Sequence, residues 1–133
     1  HIVNTYQINI EEIAFDRWGS GDVRSRLEKK YTVFPFGQGY KSMSPVIRDL
    51  EILLLDGRLI IANNEVLTWM AKNVVATEDP AGNIKYDKSK AKNKIDGIIA
   101  MLMGLSRSIF ARGEVIFDIN EYSDEETLDK LWG

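Results

Sequence analysis

The sequence contains no cysteine, and its only histidine is His1. Disulfide bonds, thiolate metal sites and Cys–His or Ser–His–Asp nucleophilic chemistry are therefore excluded for this chain. A single terminal histidine cannot supply a zinc cluster either. Any metal ion must be bound by oxygen ligands, which favours magnesium, manganese or calcium.

Long hydrophobic runs are also missing. No apolar stretch approaches the roughly 20 residues of a membrane-spanning helix, and the N-terminus lacks the basic-then-apolar order of a secretory signal. We therefore expect a soluble, intracellular protein that does not contact a membrane. The chain has 133 residues, of which 44% are hydrophobic and 10% aromatic. This composition predicts one globular domain with a sizeable core.

Positive charge is scarce at the C-terminal end. The segment 114–133 carries seven acids and one lysine, a local charge of −6. Because the net charge of the whole chain is −3, the first 113 residues carry a net charge of +3. We predict a folded domain over residues 1–113 and an acidic tail over residues 114–133. A mildly basic body is compatible with a polyanionic ligand but does not require one.

Hydrophobic periodicity predicts an α/β domain. Two β-rich runs, 12–16 and 32–36, predict strands. Between them the pattern predicts a helix from Val23 to about Lys30, capped by Asp22, and this order indicates a parallel βαβ unit. Turn residues around Pro80 and Gly82 predict a β-hairpin. The remaining predicted elements are helices over 45–55, from Asn63 or Asn64 to 72, and over 95–110, and strands over 58–61 and 115–119. In the last long helix, an apolar stripe lies beside a small-residue face expected to pack against the sheet, formed by Gly97, Ala100 and Gly104.

Two acids stand at the ends of such elements. Asp16 ends the first strand, and Asp96 lies in the first turn of the last long helix, so they can converge at the rim of the sheet, where α/β sheets place ligand sites. Two or three carboxylates there could bind one or two divalent cations, which activate water and stabilise the leaving oxygen of a phosphodiester. Spacing alone favours structural roles for both acids. Asp16 could start the following turn, and Asp96 could occupy the third position of a helix capped by Asn93.

A lysine-rich segment precedes Asp96, with five lysines in the ten residues 85–94. Charge alone leaves open whether it is a solvated loop or a binding surface. As a binding surface it would grip a phosphate backbone without regard to base sequence. Gly37 and Gly39 are more simply turn glycines, because their spacing fits neither the P-loop nor the dinucleotide motif.

Five segments, in order within residues 6–108, resemble the C-terminal nuclease domain of the large terminase subunit of tailed bacteriophages. Their joint occurrence is far more specific than any one of them alone. The segments are IAFDRW (13–18), FGQGYKSMSP (36–45), LTWMAKNVV (67–75), DPAGNIK (79–85) and KIDG (94–97).

The resemblance implies an α/β, ribonuclease H-like nuclease fold with an added β-hairpin, truncated at its N-terminus. It further implies an endonuclease that cuts concatemeric double-stranded phage DNA in the cytoplasm of the bacterial host, with Mg²⁺ or Mn²⁺ bound by the catalytic ligands Asp16 and Asp96. The phage portal and the small terminase subunit are the implied protein partners. The residues expected near DNA are Lys41, Lys85, Lys88, Lys90, Lys92 and Lys94.

The sequence departs from the family pattern at its start. The family's first metal-binding aspartate, the strand that carries it and the preceding ATPase domain have no counterpart in this chain. We therefore expect a fragment with weak metal binding, whose exposed strand edge forms a dimer through residues 12–17. The alternative function is a non-catalytic module that binds DNA or the portal, with the two acids serving as caps.

Overall fold

The computed structural model describes residues 9–17, 21–61 and 63–111. These ranges contain four helices and two sheets of two strands each. The strands are β1 (Glu12–Asp16), β2 (Thr32–Phe36), β3 (Ala76–Glu78) and β4 (Ile84–Tyr86). The helices are α1 (Gly21–Leu27), α2 (Tyr40–Leu55), α3 (Glu65–Lys72) and α4 (Asp96–Ala111). None of the described helices is long and apolar enough to cross a membrane.

β1, α1 and β2 form the predicted parallel unit. β1 and β2 pair in register from Glu12 opposite Thr32 to Asp16 opposite Phe36. The connecting helix is shorter than predicted and begins earlier. Asp22 is therefore not its cap but lies in its first turn, where its carboxylate contacts the guanidinium of Arg26 at 3.4 Å.

The predicted hairpin is confirmed as the antiparallel pair β3–β4. Its turn is closed by Asp79, whose carboxylate accepts hydrogen bonds from the backbone N–H groups of Ala81 and Asn83 at 2.9 Å. Gly82 has φ +81°, a conformation that side-chain-bearing residues rarely adopt. The hydrogen bond from the Asn83 side chain is the main cause of the lowered pKa of Asp79.

Helix α2 corrects one prediction, because it begins at Tyr40 rather than at Pro45. Ser44 is not a cap; it is buried, and its hydroxyl accepts a hydrogen bond from the backbone N–H of Ile84 at 3.1 Å. Met43 is fully buried one residue earlier, so the apolar face of the helix extends past the proline. Pro45 is the sixth residue of the helix and lies inside it, so the helix lacks one backbone hydrogen bond at this position.

The predicted strand over 58–61 is wrong: the structure shows no strand there. Instead, Gly57 at φ +66° ends α2, and the N–H groups of Gly57 and Arg58 bond back to the carbonyls of Leu54 and Leu53. This pair of hydrogen bonds is the Schellman motif, which satisfies the last carbonyls of a helix. Ile60 is 93% exposed, so the β-branched pair Ile60-Ile61 does not enter a sheet.

The predicted cap of α3 is confirmed, since Asn64 accepts a hydrogen bond from the N–H of Leu67. Helix α4 begins at Asp96, which is thus its first residue and not its third. Asn93 does not cap it; its side-chain amide bonds instead to Asn73. The last prediction on α4 is also corrected: a Cβ on Gly97 would lie 2.8 Å from the sulfur of Met70, so this glycine packs against α3 and not against the sheet.

The main core lies between α2, α4 and the end of β2. Its members are almost completely buried, and the predicted apolar stripe of α4 supplies three of them. They are Phe36, Met43, Val46, Ile47, Leu50, Ile95, Ile99 and Leu102. The predicted strand over 115–119 and the acidic tail lie outside the described residues.

Candidate functional site

Asp16 is the last residue of β1 and is half-buried. Its carboxylate accepts a hydrogen bond from the side-chain amide of Gln38, which lies in the loop after β2. That loop runs close to α2, because a Cβ on Gly37 would lie 2.8 Å from the hydroxyl of Ser42. The glycine thus has a steric role, and the loop places an oriented amide on the acid.

Asp96 is the first residue of α4, and its side chain is 61% exposed. The ammonium of Lys88 contacts its carboxylate at 2.8 Å. The hydrogen bond from Lys88 is the main cause of a lowered pKa of Asp96, and the positive charges of Lys88 and Lys94 add to it. Asp96 is therefore ionised at neutral pH and accessible from solvent. The helix dipole stabilises a carboxylate at a helix N-terminus, so Asp96 also has a structural role at the start of α4.

The packing of α4 on the sheet shows where the two acids lie relative to each other. Arg107, near the end of α4, contacts Glu12 at 2.7 Å and lies over the ring of Phe34 at 3.5 Å. Phe36, two residues further along β2, belongs to the core with Ile95, which directly precedes α4, and Ile99, in the first turn of α4. Helix α4 therefore runs antiparallel to β1 and β2.

This direction brings both acids toward one edge. From Glu12, Asp16 lies about 13 Å along the strand at roughly 3.3 Å per residue. From Arg107, Asp96 lies about 16 Å along the helix at roughly 1.5 Å per residue. Both displacements run in the same direction from the Glu12–Arg107 ion pair, so the end of β1 and the start of α4 face the same side of the domain.

The donor set suits a weakly bound hard cation. Within the described ranges no group of three or more acids or histidines is arranged to hold a metal ion. Two carboxylates remain, and magnesium commonly uses one or two, completing its shell with water and substrate oxygens. Asp96 meets the further requirement of being charged and accessible, whereas Lys88 would compete with a cation for it.

The lysine-rich segment is held to the rest of the domain at three positions. Ala91 packs against the core, Asn93 bonds to Asn73, and Ile95 enters the core with 1% exposure. Ser89 bonds to Asp87 within the segment itself. Lys88, Lys90, Lys92 and Lys94 are all exposed, as are Ser89 and Asn93. The hydrogen bond from the Ser89 hydroxyl is also the main cause of the lowered pKa of Asp87.

The other two predicted DNA-binding lysines belong to a neighbouring region. Lys41 is exposed in the first turn of α2. Lys85 lies on β4, with its ammonium 5.1 Å from the ring centre of Tyr40 and 4.0 Å from the carboxylate of Asp87. The hairpin itself is fastened to α2, because Arg48 donates a hydrogen bond to the carbonyl of Gly82 at 2.9 Å. Lys85 therefore lies against the start of α2, and Lys41 follows Tyr40 in that helix.

Sequence reasoning missed two features of the site. The bond from Gln38 to Asp16 joins positions 22 residues apart, and no periodicity predicts such a contact. The second feature is which residues of the segment 88–95 contact the domain. Lysines alternate with other residues there, but the segment consists of turns and bends, so the period of two that holds for strands does not predict its exposed side chains.

These features define a mixed α/β domain with two acids and a series of exposed lysines, an arrangement suited to processing or binding a polyanion. Comparison with known proteins gives the family. Residues 1–113 match the family described as the terminase large subunit, endonuclease domain. The chain therefore belongs to this family.

Individual relatives agree. The chain is 40% identical over 119 residues to the large terminase subunit of Enterobacteria phage HK97, an alignment covering 87% of this chain and 23% of that protein. It is 34% identical over 79 residues to protein YmfN of Escherichia coli K12, covering 58% of this chain and 17% of YmfN. The crystal structure of the HK97 large terminase is similar with a TM-score of 0.69 and 38% identity, covering 80% of this chain and 22% of that one. The chain thus spans about a quarter or less of these relatives.

Proposed function

We propose that this chain is the metal-dependent endonuclease part of a phage large terminase subunit and hydrolyses phosphodiester bonds of concatemeric double-stranded DNA in the cytoplasm of the bacterial host. One observation carries the proposal beyond family membership. The end of β1 and the start of α4 face one side of the domain, which supports a shared site for Asp16 and the ionised Asp96, with Lys88 in contact with Asp96. The ribonuclease H-like arrangement belongs to the same proposal and is supported by the parallel β1–β2 pair with α4 packed against it.

In this proposal Asp16 and Asp96 are the protein ligands of Mg²⁺ or Mn²⁺. A bound divalent cation would supply an activated water and charge stabilisation at the leaving oxygen. Gln38 orients the carboxylate of Asp16 through its amide. Lys88 neutralises Asp96 until a cation binds, and its ammonium is then available to a phosphate oxygen.

The exposed lysines would contact DNA through its backbone. Phosphate contacts of this kind position a protein on DNA without reading its sequence, and each contact increases the dependence of binding on salt. Lys90, Lys92 and Lys94 would follow the backbone next to the acids, and Lys41 and Lys85 would contact it beside the hairpin. We therefore expect cleavage with little intrinsic preference for base sequence.

The test combines ion binding with cleavage. Mn²⁺ binding, followed by electron paramagnetic resonance, should weaken in Asp16→Asn and in Asp96→Asn, and both variants should lose nicking of supercoiled plasmid. Asp56→Asn is the control. This substitution removes the same charge, and Asp56 lies at the C-terminal end of α2. Equal Mn²⁺ binding and nicking in all four proteins would refute the assignment of the two acids.

A second function has its own support, namely a non-catalytic module that binds DNA or the portal. Within the described residues no third acid completes a metal centre, and both acids have structural roles, as a hydrogen-bonded strand end and as a helix start. DNA binding that persists without any Mn²⁺ binding or nicking would favour this module. Binding to the portal and to the small terminase subunit belongs to either function.

We also propose a dimer through residues 12–17. In the described part of the chain β1 pairs with β2 along one edge only, and an unpaired strand edge is a template for a second strand. Light scattering coupled to gel filtration should give twice the monomer mass. Replacing Ala14 by proline, which cannot donate to a ladder, should yield the monomer mass, and a monomer in the unsubstituted protein would overturn this proposal.

A further inference from the structure

Three lysines of the lysine-rich segment form no ion pair among the described residues, although the charges of Lys90 and Lys94 help to lower the pKa of Asp87 and Asp96. Lys88 is paired with Asp96 and Lys85 with Asp87, but Lys90, Lys92 and Lys94 form no ion pair with the residues that the structure describes. We call these three residues the lysine strip. They are exposed on a segment whose intervening residues are anchored to the domain. The strip is therefore a fixed positive surface with room for an anionic partner.

The same chain also contains a strongly acidic segment. Residues 114–133 have a net charge of −6, and four of their seven acids fall within the six positions 124–129. This acidic cluster consists of Asp124, Glu125, Glu126 and Asp129. Attraction between opposite charges is strongest where several are concentrated on each side, and both segments meet that condition.

The covalent connection permits contact. Helix α4 starts directly after the lysine strip and ends at Ala111, and its 16 residues span about 24 Å at roughly 1.5 Å per residue. From Ala111 to Asp124 the chain has 13 further residues, which can cover up to about 43 Å at roughly 3.3 Å each. The acidic cluster can therefore return along the whole of α4 and meet the strip, whereas Glu114, only three residues beyond the helix, cannot.

We propose that the acidic cluster, residues 124–129, docks on the lysine strip of its own chain. Because the two segments belong to one polypeptide, the cluster is present at a high effective concentration near the strip. Exposed charges are screened by salt, so the docking weakens as ionic strength rises. On the proposed function, the cluster would occupy the surface that contacts DNA and act as an internal competitor.

Zero-length carbodiimide cross-linking of the full chain, followed by mass spectrometry, tests the docking without DNA. We expect links from the acidic cluster to Lys90, Lys92 or Lys94 to be at least about threefold more abundant than links to Lys29 and Lys30. This preference should disappear at about 0.5 M salt, where the screening length is only a few ångströms. Equal yields at the two lysine sets, or a preference unaffected by salt, would overturn the proposal.

One variant that removes the charges of the cluster, made in the full chain, makes the test sharper. Replacing the cluster acids by amides (D124N, E125Q, E126Q, D129N) should abolish the preferred links, and the remaining acids should not restore them. A mixture of ¹⁴N- and ¹⁵N-labelled protein distinguishes the source of the contact. Links within one isotope only support docking within a chain, whereas links between isotopes would overturn it in favour of exchange between copies.

A separate measurement concerns DNA. With a short duplex and fluorescence anisotropy at low salt, the amide variant should bind about tenfold more tightly than the unsubstituted chain, as expected when a competing polyanion is removed. Lys29→Gln combined with Lys30→Gln, a control on the loop after α1, should leave that ratio unchanged. If neither the unsubstituted chain nor the amide variant binds DNA, the proposed function is refuted. If the preferred cross-links between the acidic cluster and the lysine strip are absent, only the docking is refuted.

Discussion

Replacing Ser44 by alanine isolates the contact that joins the hairpin to α2. The Ser44 hydroxyl is 4% exposed and accepts a hydrogen bond from the N–H of Ile84 at 3.1 Å, across 40 positions of sequence. The variant leaves this N–H without its partner in a half-buried place. An unsatisfied buried group costs about 1–3 kcal/mol.

Ser106→Ala is the matched control. Its hydroxyl donates to the carbonyl of Met103 within α4 at 2.7 Å, and that contact is local to the helix. Both substitutions replace serine by alanine in a helix, so the gain in helix propensity is similar in the two and cancels in the difference. We expect Ser106→Ala to change stability by less than about 0.5 kcal/mol.

Urea unfolding followed by circular dichroism measures both variants. Ser44→Ala should lose about 1–3 kcal/mol, which corresponds to a fall in Tm of roughly 3–10 °C for a domain of this size. Hydrogen exchange of the Ile84 amide should accelerate in Ser44→Ala and stay unchanged in Ser106→Ala. Equal stability of the two variants, with unchanged exchange at Ile84, would refute the conclusion that this bond anchors the hairpin.

Three further predictions follow from the packing and charges. Leu102 has no exposed surface, so Leu102→Ala should cost about 2–5 kcal/mol in urea unfolding; a cost below about 1 kcal/mol would contradict its place in the core. Gly57→Ala places a side chain at φ +66° and should cost about 1 kcal/mol, measured in the same way, and a stabilised variant would argue against the left-handed end of α2. Lys88→Gln should raise the pKa of Asp96 toward its ordinary value in a carboxyl NMR titration. Because the pKa of Asp96 is lowered in the folded protein, its ion pair with Lys88 stabilises the fold at neutral pH, by less than about 1 kcal/mol. This contribution is lost as the pH falls below about 4. A stability difference between the unsubstituted protein and Lys88→Gln that persists at lower pH would have another origin.

The elements that the sequence predicts best are those with strong local signals. β1 and β2 have the limits that their β-rich runs indicate, and the hairpin lies around the predicted Asp79–Gly82 turn. Turn residues act over three or four positions, so the sequence alone describes them well. The Asn64 cap is confirmed for the same reason.

The errors arise where a local signal competes with burial. Ser44-Pro45 has the pattern of a helix start, yet burial of Met43 extends α2 back to Tyr40. Ile60 and Ile61 have high β propensity, but they pair with no strand in the part of the chain that the structure describes. Strand propensity describes fit to a half-buried sheet surface, and it has no effect where that surface is missing.

The candidate site divides in the same way. The sequence identifies the acids and the lysines and places each at the end of an element or on a loop. It contains no sign that Gln38 would bond to Asp16 or that Lys88 would pair with Asp96. Both contacts depend on how separate elements pack against each other.

By itself, the sequence determined the absence of thiolate ligands, the parallel β1–α1–β2 unit, the charge division between residues 1–113 and 114–133, and the resemblance that the family match confirms. These follow from composition, short-range turn chemistry and motif order. Only the tertiary structure decided that α4 runs antiparallel to β1, which brings Asp16 and Asp96 toward one edge, and that the lysines within residues 88–94 are exposed. The physical reason is that a direction of packing is set by contacts such as Glu12 with Arg107, 95 positions apart, and such contacts leave no local pattern.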